Sequence, residues 1–202
     1  MAMKLLYAPT SPYVRKVMAV AHETGQIDFI EPVFALANPV GTNDELNAEN
    51  PLGKIPVLIT KDGPLYDSLV ICEYLDARTH GHRVFPKDGP PRWKALRQHA
   101  LADGLLDAAL LTRYEKVSRP PEFQWDVWRE AQLSKIRRAL AAMEKDLPEE
   151  ATIGAIGYGC ALGYIHFRFS DIDWRSAHPL LGAWFGAFSE RPSMHLTEPR
   201  EA

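Results

Sequence analysis

The chain opens on a short apolar run, Lys4 to Ala8, which predicts a buried strand. Thr10-Ser11-Pro12 follows. A polar capping residue before a proline signals a helix N-terminus. Val14, Val17, Met18 and Ala21 then fall on one helical face, and Gly25 marks its end. A second strand is expected over 28–34, at a sheet edge because Pro32 has no ladder donor. The polar stretch 36–50 reads as a loop with at most a short helix. Ile55–Thr60, the turn Lys61-Asp62-Gly63, and Pro64–Tyr66 predict a β-hairpin, after which Asp67-Ser68 start a helix carrying Val70, Ile71, Tyr74 and Leu75. The order is therefore β-α-β followed by β-β-α.

Residues 79–91 are dense in Gly and Pro and predict a linker between units at 1–78 and 92–202. Everything beyond it has helical spacing. Leu133, Ile136, Leu140, Met143 and Leu147 form an apolar stripe that Pro148 ends. Residues 152–167 are apolar nearly all round and carry Gly154, Gly157, Gly159 and Gly163, which suits a helix at the centre of a bundle. A last helix is expected over about 178–189, before Pro192.

Composition narrows the function classes. The net charge is −3, with no concentrated basic face, so nothing points to nucleic acid. Arg92, Lys94 and Arg97 read as a solvated face at a helix start. No run approaches the roughly 20 apolar residues of a membrane span, and the N-terminal residues lack a secretory pattern, so a cytoplasmic protein is expected. Cys72 and Cys160 lie far apart in apolar stretches, without dithiol or zinc-ligand spacing. Both are expected as buried small hydrophobes, and no metal is expected. His166 reads as a satisfied core or interface residue.

Three places can carry chemistry. A helix N-terminus at Ser11 favours an anion such as a thiolate, although the commoner role of a serine there is to cap the helix. Asp67-Ser68 form a second helix start, able to hold a carboxylate and an ammonium, and again commonly only a cap. Pro56 stands at the head of a strand that should be interior, a place for an unusual backbone presentation.

Taken together, SPYVRKV (11–17), NPLGKIPVL (50–58) and LYDSLVICEYLD (65–76) resemble the signatures of cytosolic glutathione S-transferases, in order and spacing. The likeness extends to 151–169 and 190–199. It is nearest to bacterial YibF-like members, with a serine before the proline as in tau-type enzymes. The resemblance implies an α/β thioredoxin-like N-terminal domain followed by an all-α helical-bundle C-terminal domain. It also implies a homodimer with glutathione as co-substrate and an apolar electrophilic small molecule as partner. Carried over, Ser11 contacts the thiol, with Tyr7 and Thr10 as competing donors. Ile55, before a cis Pro56, pairs with the cysteinyl backbone. Asp67 and Ser68 hold the γ-glutamyl end, and Lys54 neutralises the glycyl carboxylate. Tyr7, Tyr13, Asp103, Asp107, Arg113 and Tyr114 are candidates for the electrophile pocket. Serine rather than cysteine at position 11 disfavours mixed-disulfide chemistry. Glutathione-dependent peroxide or disulfide reduction, and binding without turnover, are the other readings. One departure stands out: the family's Thr-x-x-Asp cap has Ala155 in place of the aspartate after Thr152.

Overall fold

The computed structural model describes residues 2–201. Strand β1 (Met3–Tyr7) leads into helix α1 (Pro12–Glu23), and β2 (Ile30–Phe34) returns parallel to β1. After the short helix α2 (Asp44–Glu49), β3 (Val57–Thr60) and β4 (Gly63–Leu65) form the hairpin, and α3 (Ser68–Arg78) closes the unit. The sheet order is β2-β1-β3-β4, with β3 antiparallel to both its neighbours. Pro32 thus lies on an edge strand. Pro56 directly precedes the interior strand β3, where it removes no ladder bond.

Helices α1 and α3 cover one face of this sheet. Val14, Val17, Val20 and Ala21 pack with Ile71, Cys72 and Leu75 over Leu5 and Leu58. The opposite face has a smaller core of Leu6, Ala35, Leu46 and Val57. Both cysteines are fully buried, and burial pushes the Cys160 thiol up to about 11.

The second half is helical: α4 (Gly89–Val117), α5 (Asp126–Lys145), α6 (Ile153–Arg168), α7 (Trp174–Ala177), α8 (Pro179–Ser189) and α9 (Pro192–His195). Helix α4 starts at Gly89, three residues before the expected boundary, because Pro90 and Pro91 occupy its first turn, where no intrahelical donor is needed. The α5 stripe buries Ile136, Leu140 and Met143 against Leu105, Leu106 and Ala109. Helix α6 is buried on all sides from Ile153 to Ile165, as its composition predicts. One expectation needs correction: His166 is not in the core but exposed, on the outer side of the last α6 turn. Arg92, Lys94 and Arg97 lie on the surface as expected, where Arg92 pairs with Glu73 and the other two with Asp146.

The missing aspartate at Ala155 has a backbone substitute. Thr152 makes no side-chain cap; its own N–H, from which that aspartate would accept, donates to the Glu150 carbonyl at 2.8 Å, and the next amide, Ile153 N–H, donates to the Val84 carbonyl at 2.8 Å. Val84 is held in turn, because the Val84 and Phe85 amides donate to the buried Asp76 carboxylate at 2.6 and 3.2 Å. The Glu150 carbonyl thus replaces the missing acceptor for Thr152, while the connection between the two halves satisfies the next helix amide.

One polar tie joins the halves in the interior. Lys16, on α1, is fully buried, and its Nζ lies 2.7 and 2.9 Å from the Asp103 carboxylate oxygens on α4. The same Nζ lies 2.8 Å from His99 Nε2. An ammonium has only donors, so the imidazole accepts and is held neutral. Burial first, and Lys16 second, lower the His99 pKa to about 3.

Two predictions arise here. A Cβ on Gly154 would stand 2.8 Å from the Ala95 carbonyl oxygen, whereas one on Gly104 meets nothing within 4 Å. Gly154→Ala is expected to cost about 1–3 kcal/mol, and Gly104→Ala to gain about 0.5–1 kcal/mol. Thermal midpoints should therefore move in opposite directions. His99 takes up a proton near pH 6.5 when unfolded but only near pH 3 when folded. Its contribution is thus complete above about pH 6.5 and lost as pH falls toward 3. Urea titrations at pH 7 and pH 4.5 should show a smaller loss of stability in His99→Gln than in the parent.

Candidate functional site

The sheet topology gathers three chain segments at one end. Leu6, near the C-terminal end of β1, is opposite Val57 at the start of β3, and Leu58 is opposite Leu65 at the end of β4. The exit of β1, the entry to β3 and the exit of β4 therefore lie side by side. The loop to α1, the Ile55-Pro56 step and the start of α3 all emerge there. Two helix N-termini, with their unpaired amides and positive dipole ends, flank one short backbone edge.

At the first helix, the Val14 amide donates to Ser11 Oγ at 3.3 Å, and Ser11 N–H donates to the Ala8 carbonyl. Capping uses Ser11 Oγ only as an acceptor, so the hydroxyl proton stays available for an anion. Cap and anion donor are compatible roles, which the motif alone left as rivals. Tyr7 sits at the end of β1 with its ring edge-on to Phe34 at 6.4 Å, a packing arrangement.

At the edge between the helices, the Ile55–Pro56 bond is cis. The β1–β3 ladder reaches only as far as Val57, so it uses neither the N–H nor the carbonyl of Ile55. Among the described residues these two groups are free to pair with an extended peptide. At the second helix, Asp67 Oδ1 accepts from Leu69 and Val70 N–H at 3.0 and 3.4 Å. The other carboxylate oxygen and the Ser68 N–H have no partner among the described residues, and Ser68 is 3% exposed. The Tyr66–Asp67 bond is also cis, which no local sequence signal announces. Lys54 has an exposed side chain beside this edge, while its carbonyl accepts from Asn50 Nδ2 at 2.9 Å.

Above this end runs α4. Tyr13 donates to Asp107 at 2.5 Å, and its hydroxyl is pushed far above the usual phenol range by burial and by that carboxylate. Asp103 is engaged from below by Lys16. Tyr114 is half-buried, its pKa raised by burial against the pull of Arg113. Of the candidate pocket residues, Tyr13 and Asp107 are bonded to each other, Asp103 is tied to Lys16, Tyr7 packs on Phe34, and Arg113 and Tyr114 are half-buried further along α4.

Sequence reasoning missed Lys16, His99 and Arg168. Lys16 carried one signal: its i+3 and i+4 neighbours, Ala19 and Val20, are fully buried, so a lysine there demands a partner. The partner is 87 residues away and has no local mark. No group of three His, Cys, Asp or Glu among the described residues is placed to hold a metal ion. No helix among them is long and apolar enough to cross a membrane.

Comparison with known proteins agrees with this geometry. Residues 5–83 match the family model of the glutathione S-transferase N-terminal domain, and 126–187 that of the C-terminal domain. The chain is 32% identical to the uncharacterized GST-like protein YibF of Escherichia coli K12, over 99% of this chain and all of that one. A glutathione transferase family member from Pseudomonas fluorescens Pf-5, solved with bound glutathione, is 46% identical. It superposes with a TM-score of 0.96 over 98% of this chain and all of that one. A second structure from that organism, 45% identical with a TM-score of 0.91, holds S-(propanoic acid)-glutathione, with 98% and 100% of the chains covered. A glutathione S-transferase from Methylobacillus flagellatus KT with glutathione bound is 39% identical over the same shares, with a TM-score of 0.88. With its paired helix starts flanking a cis-proline backbone edge, and full-length similarity to these proteins, the chain belongs to the glutathione S-transferase family.

Proposed function

We propose that this protein is a glutathione transferase, which binds glutathione at the end of the sheet and delivers its thiolate to an electrophilic small molecule. The observation that carries this reading is the convergence of Ser11, Ile55-Pro56 and Asp67-Ser68 on one short edge. The bound glutathione in two relatives at 46% and 39% identity supports it. In this reading the α-amino group of the γ-glutamyl end meets Asp67, and its carboxylate meets the Ser68 N–H at the start of α3. The cysteinyl backbone pairs with Ile55, and Lys54 faces the glycyl carboxylate. The sulfur then lies at the start of α1.

The chemistry follows from that placement. The Ser11 hydroxyl and the α1 dipole stabilise the thiolate over the thiol, lowering the sulfur's pKa from about 8.5 toward neutral. The thiol proton leaves to solvent. The sulfur attacks the electrophilic carbon, a C–S bond forms, and the leaving group departs with its electron pair. Catalysis then comes from proximity and from a preorganised donor, with no covalent bond to the protein. Peroxide or disulfide reduction at the same site is the second reading. It lacks a cysteine at position 11 to hold a mixed disulfide, and the S-substituted glutathione in a relative at 45% identity favours conjugation.

Ser11→Ala removes a charge-assisted hydrogen bond worth about 1.5–3 kcal/mol. It should lower kcat/KM for a chloronitroaromatic roughly 10–100-fold and raise the pKa of bound thiol, read from thiolate absorbance against pH. Asp67→Asn should instead raise KM for glutathione about tenfold with kcat little changed. An unaltered thiol pKa in Ser11→Ala would remove Ser11 from its role and leave Tyr7 or Thr10 as the donor. In a cytoplasmic enzyme of this kind a homodimer across the two-domain face is expected. Light scattering at micromolar concentration should give twice the 22.7 kDa chain mass.

A further inference from the structure

Helices α4 and α6 run side by side in the same direction. Gly154 abuts Ala95 and Gln98, and Gly157 abuts His99 and Ala102. At equal rise per residue, the last turn of α6 comes level with the stretch of α4 near Arg113. Helix α1 lies across both. Tyr13 is bonded to Asp107 on α4, while the buried Arg15 guanidinium fills the space beside Gly163 on α6 and donates to the Met194 carbonyl at 3.0 Å. The helix that begins at Ser11 therefore meets α6 near its end, and Arg168 lies five residues further along, turned about 140° from the Gly163 face onto the same stripe as Tyr164, toward α4.

Arg168 is unusual for a terminal helix arginine. Its side chain is only 12% exposed, its guanidinium lies 4.0 Å from the Phe167 ring centroid, and its Nε is buried without an acceptor among the described residues. Both terminal nitrogens fork onto the Glu201 carboxylate, with Nη2 at 3.2 Å, and Glu201 is itself 69% exposed on a segment without regular structure. Tyr164 stands one turn earlier. Burial raises its hydroxyl to about 12 against the pull of Arg113 and Arg168, and the same two arginines lower Glu201. Tyr13 packs against the same apolar cluster that contains Tyr164. Two guanidinium groups and one solvent-facing carboxylate thus share the α4-facing corner at the end of α6, one turn beyond Tyr164.

We propose that Arg168, with Arg113 beside it, determines specificity for an electrophile that carries a carboxylate, and that this carboxylate takes the place of Glu201 on the guanidinium fork. A planar fork half-buried over an aromatic ring matches a carboxylate in two parallel bonds, and an exposed side chain on an irregular segment is a replaceable partner. The inference rests on the reading of Ser11 as the thiol end of the glutathione site. In the reaction the sulfur bonds to the electrophilic carbon, a halide or similar group leaves with the bonding pair, and the carboxylate stays unchanged on Arg168.

Binding of product-like adducts tests this without relying on turnover. The probes are S-(4-carboxybenzyl)glutathione, its neutral isostere S-(4-carbamoylbenzyl)glutathione, and S-methylglutathione, titrated by calorimetry. The parent protein should bind the carboxylate adduct about tenfold more tightly than the amide. Arg168→Met should erase that gap and leave the other two ligands unchanged. Glu201→Gln should tighten the carboxylate adduct a few-fold and leave the amide unaltered. Equal affinity for the two adducts in the parent, or an Arg168→Met loss shared by all three ligands, overturns the proposal. If Arg168→Met does not fold, an unaltered affinity of Glu201→Gln for the carboxylate adduct overturns it alone. Failure of S-methylglutathione to bind the parent would overturn the glutathione reading and this proposal with it. S-methylglutathione binding beside equal adduct affinities would overturn only the proposal.

Discussion

The arrangement depends on a lysine placed where lysines are rarely found. Lys16 sits in the second turn of α1 with no solvent contact, and its ammonium is held by Asp103 and His99, both on α4. An ammonium in a dry interior is tolerated only when its three donors find acceptors, and here all the partners come from the other half of the molecule. The pair adds little net stability over an apolar contact of equal volume, but breaking one side of it is costly, so it fixes one relative placement of the halves. That placement sets Ser11, five residues before Lys16, and Tyr13, bonded to Asp107, against the helical half. In the proposed reading, the thiol end and the electrophile pocket are positioned by the same helix.

The tie is reinforced on the far side of α1. Glu23, at its last turn, takes Arg191 Nε and Nη2 at 3.0 and 2.8 Å and the Ser193 hydroxyl at 2.5 Å, and Arg15 holds the Met194 carbonyl. Helix α9 is therefore strapped along α1, while the Asp76–Val84–Ile153 chain anchors the start of α6 through the connecting segment. The family's usual cap at Ala155 can be lost because the Thr152 N–H finds the Glu150 carbonyl instead. The Ile153 N–H and the Glu23 carboxylate are each satisfied by an element distant in sequence.

The binding edge follows a different logic. No buried charge is needed to gather its parts, since a mixed sheet in the order β2-β1-β3-β4 brings the exit of β1, the entry to β3 and the exit of β4 to one end. Helices that follow the exits of β1 and β4 then begin at that end, so two positive helix ends face the same edge. Ser11 and Asp67 act as caps, each leaving one bonding group unused.

Much of this was legible in the chain because it depends on local rules. The β-α-β and β-β-α order, the edge position of Pro32, the buried stripe of α5 and the all-round burial of α6 follow from side-chain periodicity and turn chemistry over a few residues. The three motif segments, read in order, pointed to the family, which the full-length similarity bears out. What only the tertiary structure decided are the interactions whose partners are far apart in sequence: Lys16 with Asp103, Val84 with Ile153, Arg168 with Glu201. Periodicity cannot pair residues that are separated by tens of positions. His166 shows the limit from the other side, since a helix buried on every face through Ile165 gives no sign that its next residue faces out. Local free energies are set by neighbours in the chain. The choice of which buried charge meets which acceptor is set by packing, and it is made only when the two halves come together.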